Sequence, residues 1–141
     1  MKQVKGWWLP DTDTDFDRWI LDGEYQKKQR DAILEFVNKD GNAIDIGAHV
    51  GFWLRDMCKQ FKHVYAFEPI EEVRQCLAKN VIAENYSTYS VGLGAKNDNI
   101  KVNGFIAGMT SAITESLIYF MVKSDIPSIS PFIQVIKTYL F

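Results

Sequence analysis

Seven consecutive residues, Asp45-Ile46-Gly47-Ala48-His49-Val50-Gly51, carry the most chemical information in this chain. Two glycines four apart follow a short apolar run, Ala43-Ile44-Asp45-Ile46, and open a segment of helical character. That order describes a strand–turn–helix nucleotide site of the Rossmann type. There the backbone must bend sharply and approach a ligand closely, which a Cβ atom would obstruct. Glu68 stands 17 residues after Gly51, at the end of the next predicted strand. A carboxylate in that place accepts hydrogen bonds from both ribose hydroxyls of an adenosine-containing ligand. Each element alone is a weak signal, and at this spacing the two together point to an adenosine-type ligand.

The ligand class narrows by chemistry. A dinucleotide site uses G-x-G-x-x-G, whose middle glycine lets a pyrophosphate sit against the helix N-terminus, and His49 occupies that place here. A P-loop is excluded because no Gly-Lys-Ser/Thr follows. S-adenosyl-L-methionine carries no phosphate, so a looser glycine pattern suffices for it. A nicotinamide-dependent oxidoreductase stays as a disfavoured alternative. The bland alternative makes Gly47 and Gly51 plain turn glycines of an unliganded α/β domain.

Ile44 to Phe52, followed by Ala66-Phe67-Glu68-Pro69, resembles motif I and the acidic loop of FkbM-type S-adenosylmethionine-dependent methyltransferases. That family has a class I Rossmann-like fold and mostly methylates hydroxyl oxygens, often on sugars or related small molecules. The resemblance implies that Asp45, Gly47, Ala48, His49 and Gly51 hold the amino-acid part of S-adenosyl-L-methionine, and that Glu68, beside Pro69, binds the ribose. Val91-Gly92-Leu93-Gly94 resembles, less specifically, the segment that lines the adenine side, which adds Gly92 and Leu93 to the expected cofactor-binding residues. The implied partner is a small-molecule acceptor such as a sugar. The similarity covers roughly residues 24–108. The family's Asp-x-Glu-Gly-type strand has no counterpart in residues 109–141, so no catalytic residue is assigned. His49 is read as a spacer near the methionine end of the cofactor rather than as a base. A non-catalytic cofactor-binding fragment is the alternative from another functional class.

Around the motif, three segments are expected. Residues 1–23 form an extended or looped arm anchored by Trp7, Trp8, Phe16 and Trp19, because the alternating Asp and Thr resist helix and strand alike. Residues 24–108 form the cofactor-binding Rossmann-like domain. A helix over 24–37 turns Tyr25, Gln29, Ala32, Ile33, Phe36 and Val37 inward, with Gly41 as a stop. A strand over 43–46 is followed by a helix over 52–61 with Leu54, Met57, Cys58 and Phe61 inward, then a strand over 63–67. A helix from Ile70 has Pro69 in its first turn and Ile70, Val73, Leu77 and Val81 on its core face. Strands over 87–92 and 99–105 come next. Strand and helix alternating with short links predict an α/β fold, a Rossmann-like parallel sheet flanked by helices, as the N-terminal part of a class I methyltransferase.

Composition bounds the rest. The 141 residues carry 16 Lys plus Arg against 18 Asp plus Glu, a net charge of -2 that argues against a nucleic-acid partner. No apolar run approaches the ~20 residues that span a bilayer, so no membrane partner is expected. Cys58 and Cys76 do not make a disulfide framework, and a cytoplasmic setting is the expectation. Neither these cysteines nor His49 and His63 have zinc-ligand spacing. Asp11, Asp13, Asp15 and Asp17 fail the EF-hand pattern, with Phe16 at its sixth position and Asp22 at its twelfth, so no metal is expected. Charge falls sharply after residue 108: Glu115, Lys123, Asp125 and Lys137 are the only charged residues of 109–141. That segment is expected to be a divergent apolar tail, truncated or frame-shifted, beside a half sheet with an unpaired edge.

Overall fold

Short apolar runs rich in β-branched and aromatic residues become the strands, and the Gly- and Pro-bounded segments between them become turns and helices. A computed structural model describes residues 1–14, 16, 20, 25–37 and 39–91, together with the backbone of strands 117–121 and 135–136. The first elements are two short antiparallel strands, β1 (Lys2–Val4) and β2 (Trp7–Leu9). Lys5 and Gly6 join them with φ of 48° and 85°, the two positive values that the tight I′ hairpin turn demands. The expected looped arm is therefore a hairpin over its first nine residues. Trp7 and Leu9 are buried and the intervening Trp8 is half-buried, as strand alternation requires. Trp7 packs on Phe52 at 4.3 Å between centroids, beneath the Arg55 guanidinium at 3.9 Å. The expected anchors Trp7, Trp8 and Phe16 all pack against the core, and Trp19 lies outside the described residues.

Helix α1 (Lys27–Glu35) is shorter than the 24–37 expected and is rotated from the expected face. Arg30 and Leu34 are its buried residues, whereas Gln29 and Ala32 are exposed and Phe36 is 85% exposed. The reason is tertiary. Arg30, with no exposed surface, donates from Nε to Asp56 Oδ2 at 2.8 Å, so a buried ion pair sets the helix rotation. Burial alone would raise the Asp56 carboxyl, but hydrogen bonds from Lys59 and Arg30 outweigh it and hold the pKa below its ordinary value.

The central unit runs β3 (Asn42–Ile46), α2 (Phe52–Met57), β4 (His63–Phe67), α3 (Glu71–Asn80) and β5 (Tyr86–Tyr89). The strands β3, β4 and β5 pair in parallel, in the order β5-β4-β3, as strand–helix alternation predicts. Asp45 pairs with Ala66 and Ile46 with Phe67. Ala43, Asp45, Val64 and Ala66 are buried, and Ala43, Val64 and Ala66 share one core with Leu54, Met57, Val73 and Leu77 of α2 and α3. Pro69 does not enter the first turn of α3: the helix starts at Glu71 with Ile70 as its cap, leaving Pro69 exposed one residue outside. Glu71 and Glu72 occupy that first turn, where the helix dipole favours acids.

Two strands of residues 109–141 belong to the same sheet. The strand β6 (Leu117–Met121) pairs antiparallel with β3, and β7 (Val135–Ile136) pairs antiparallel with β6. The sheet is thus mixed, with five strands in the order β5-β4-β3-β6-β7. The β3 edge of the parallel strands is occupied, because the run Leu117–Met121 pairs with its free backbone groups. The strand expected over 99–105 lies outside the described residues. No helix among the described residues is long and apolar enough to cross a membrane.

Candidate functional site

The parallel strands end together at one edge of the sheet, and the Gly47–Gly51 turn lies across it. Gly47, His49 and Gly51 all have positive φ, at 75°, 49° and 93°. The Gly47 and Ala48 N–H groups both donate to the Phe67 carbonyl, at 2.9 and 3.1 Å, which folds the turn back over β4. The Gly51 N–H closes it by donating to the Ala48 carbonyl at 2.9 Å.

Glu68 pins this turn from the neighbouring strand. It is 6% exposed, and its Oε2 accepts the His49 N–H while Oε1 accepts the Ile70 N–H, each at 3.0 Å. Its own N–H donates to the Tyr89 carbonyl at 3.0 Å, and Arg74 Nη1 donates to its carbonyl at 2.6 Å. Burial raises the Glu68 carboxyl above its ordinary range, against the lowering effect of the Ile70 and His49 N–H groups and the Arg74 charge. The sequence expectation treated this carboxylate purely as a ribose acceptor. In the structure it first orders the turn, and each of its oxygens keeps a second lone-pair direction.

The two glycines have different reasons. At Gly51 a Cβ would stand 2.6 Å from Val81 Cγ2 and 3.3 Å from Leu77 Cγ, so Gly51 lets α3 pack closely on the start of α2. At Gly47 a Cβ would meet nothing within 4 Å among the described residues, so this end of the turn is open where that of Gly51 is closed. Asp45, two residues before it, is 1% exposed, and its Oδ2 has no hydrogen-bond partner among the described residues. Burial, and secondarily the Glu68 charge, push its carboxyl up to about 7. A buried acceptor is costly unless a donor or cation meets it.

His49 is a wall of the site. Its ring stacks on Phe16 at 4.4 Å, and Phe16 and His49 lie 5.7 and 6.2 Å from Phe52, with all three rings within 25° of parallel. Burial pushes the imidazole down to about 4, so at neutral pH it is uncharged. Tyr25 closes the same aromatic group against Phe16 and Phe52, and Gln26 accepts from Trp53 Nε1 at 3.1 Å.

Of the sequence-predicted residues, Asp45, Gly47, Ala48, His49, Gly51 and Glu68 come together at this edge, and Pro69 sits at its rim. Gly92 and Leu93 lie outside the described residues. Sequence reading missed the role of Asn80. Its Nδ2 donates to the carbonyls of Val50 and Trp8, both at 2.9 Å, and its Oδ1 accepts the Trp8 N–H at 2.7 Å, tying hairpin, helix and turn together. An amide at the last turn of a helix gives no such signal by itself. Within the arm, Asp13 is buried rather than solvated, and its Oδ1 accepts the Phe16 N–H at 2.9 Å, holding Phe16 near His49.

Among the described residues no group of three or more His, Cys, Asp or Glu side chains is placed to hold a metal. Cys58 is half-buried and Cys76 buried, and burial pushes both thiols up to about 11, leaving weak nucleophiles. A depression of about 500 Å³ lined by Ala78, Val81, Ile82, Ala83, Glu84 and Tyr86 lies at the link into β5, at the opposite edge of the parallel strands. Ligands of such sheets bind at the carboxyl edge, where the turn is. Compared with known proteins, the chain matches no family model, no curated protein and no solved structure.

Proposed function

We propose that this chain binds S-adenosyl-L-methionine at the β3–α2 turn and is a methyltransferase of the class I Rossmann-like type, acting on a hydroxyl oxygen of a small molecule such as a sugar. The observation that carries this reading is the open space at Gly47 beside the buried Asp45, whose Oδ2 has no hydrogen-bond partner among the described residues. Such a place suits a ligand end that bears positive charge and no phosphate. The neutral His49–Phe16–Phe52 stack supports the same choice, since it offers a pyrophosphate no positive charge.

The chain's own residues bind and orient. Asp45 takes the cationic amino-acid end, Gly47 leaves room for it, and Glu68 accepts from the ribose while keeping the turn in shape. The aromatic group of Phe16, His49, Phe52 and Tyr25 excludes water from that end of the site. When bound, S-adenosyl-L-methionine would supply a methyl group activated by its sulfonium: the acceptor oxygen would bond to the methyl carbon as the carbon–sulfur bond breaks in line, with S-adenosylhomocysteine as the leaving group and the hydroxyl proton passing to water.

A calorimetric titration with S-adenosylhomocysteine and with NAD tests this. Binding of S-adenosylhomocysteine, together with methyl transfer to hydroxylated small molecules, is expected. Binding of NAD alone contradicts it. Binding of S-adenosylhomocysteine with no transfer to any acceptor leaves a cofactor-binding module without catalysis.

A further inference from the structure

Arg74 belongs to α3, yet its guanidinium reaches back past the start of that helix to the end of β4. Nη1 donates to the Glu68 carbonyl at 2.6 Å, and Nη2 donates to the Glu71 carboxylate. Gln75 steadies Glu71 in turn, with Nε2 donating to Oε1 at 3.1 Å. The Glu71 side chain is exposed and that of Arg74 largely buried, so the pair runs from the surface inward to Glu68. Glu68 is held at its other atoms too: its N–H by the Tyr89 carbonyl, and one carboxyl oxygen each by the His49 and Ile70 N–H groups. Titratable groups reach it from three elements: Asp45 from β3, His49 from the turn, and Arg74 with Glu71 from α3. The fourth element, β5, meets it through the Tyr89 carbonyl. Asp45 is a second carboxyl group and the His49 ring is uncharged at neutral pH, so neither offsets the burial of a carboxylate. Arg74 supplies the positive charge that does.

Resting on the reading of Glu68 as the ribose contact, we propose that Arg74 is the positioning residue of that contact: it fixes Glu68 beside the turn and keeps its carboxylate a pure acceptor. A carboxylate has about four lone-pair directions. The His49 and Ile70 N–H groups occupy two, which leaves two for the ribose hydroxyls. A proton on either oxygen turns one of these acceptor positions into a donor and evicts a partner. Burial favours that proton, and the Arg74 guanidinium opposes it. Arg74 therefore sets how far the pH can fall before the ribose is lost, without touching the ligand itself.

The test is calorimetric titration of wild type, Arg74→Met and Arg74→Lys with S-adenosylhomocysteine between pH 5.5 and 8.5, with folding checked by circular dichroism. Asp45 titrates in all three proteins and cancels in the ratio of variant to wild-type dissociation constants. For Arg74→Met that ratio is expected to be near one at pH 8.5 and to rise to about tenfold at pH 5.5. Arg74→Lys, which keeps the charge, is expected to stay near one throughout. Arg74→Gln, which keeps a donor but no charge, is expected to follow Arg74→Met and replaces it should that variant fail to fold. A ratio near one at every pH in the uncharged variants overturns the proposal and leaves the cofactor reading intact. Equal weakening at every pH assigns Arg74 a merely structural role and also overturns it. Failure of wild type to bind S-adenosylhomocysteine removes the cofactor reading, and this proposal with it.

Discussion

The two ends of the β3–α2 turn are built from the same residue for opposite purposes. At the Gly51 end, α3 presses so closely that a single carbon would collide with Val81 and Leu77. At the Gly47 end, the backbone faces open space near a buried carboxyl group whose Oδ2 has no partner among the described residues. One end is closed by packing and fixes the turn to the domain. The other is left open beside a buried carboxyl group that titrates near 7, a setting suited to a ligand. Identical positive-φ glycines thus divide into one closed by packing and one left open, and only the surroundings separate them.

The largest effect tests the closed end. Gly51→Ala combines left-handed strain with overpacking against Val81 and is expected to cost about 3–4 kcal/mol, read as a lowered denaturant midpoint with an unchanged slope. A midpoint equal to wild type would remove the contrast between the two ends.

The carboxyl group beside the open end is tested by pH. Asp45, raised to about 7, binds its proton more tightly in the folded state, so its contribution to stability falls as pH rises from about 4 to 7. His49, lowered to about 4, sheds its proton on folding, so its contribution rises with pH from about 4 to 6.5. The two slopes oppose each other, which makes the wild-type profile shallow below pH 6.5. Asp45→Asn exposes the rising slope of His49 and stabilises the protein at pH 8 by about 3 kcal/mol. His49→Asn, which tolerates the positive φ, exposes the falling slope instead. Thermal melts of the three proteins from pH 4 to 8 decide this, and parallel profiles would show that neither group is buried as described.

Gly47→Ala gives the smallest change in stability. It strains the backbone at φ 75° without meeting any atom, at a cost of about 1–2 kcal/mol in the same denaturant melts. A loss as large as that of Gly51→Ala would erase the difference between the ends.

The turn, β4, and the association of Glu68 with the turn were legible because each is written in a few adjacent residues: glycines after an apolar run, an acid after the next one. Other parts depend on partners distant in sequence. The face of α1 is set by Arg30 meeting Asp56, 26 residues away, so periodicity alone turned Phe36 inward when it is exposed. The hairpin's Lys5-Gly6 turn joins strands of three residues, too short for alternation to stand out beside the aspartates that follow. The antiparallel strand β6 pairs with β3 across 70 residues of chain, a match that composition read only as an apolar tail.

The central claim is that the Gly47 end of the turn receives the cofactor, and Gly47→Ala measured by calorimetry against S-adenosylhomocysteine tests it most directly. With the fold confirmed by an unchanged circular-dichroism spectrum, the added methyl group is expected to weaken binding by at least about tenfold, a change of ~1.4 kcal/mol in binding free energy. Binding equal to wild type in the folded variant would contradict the claim.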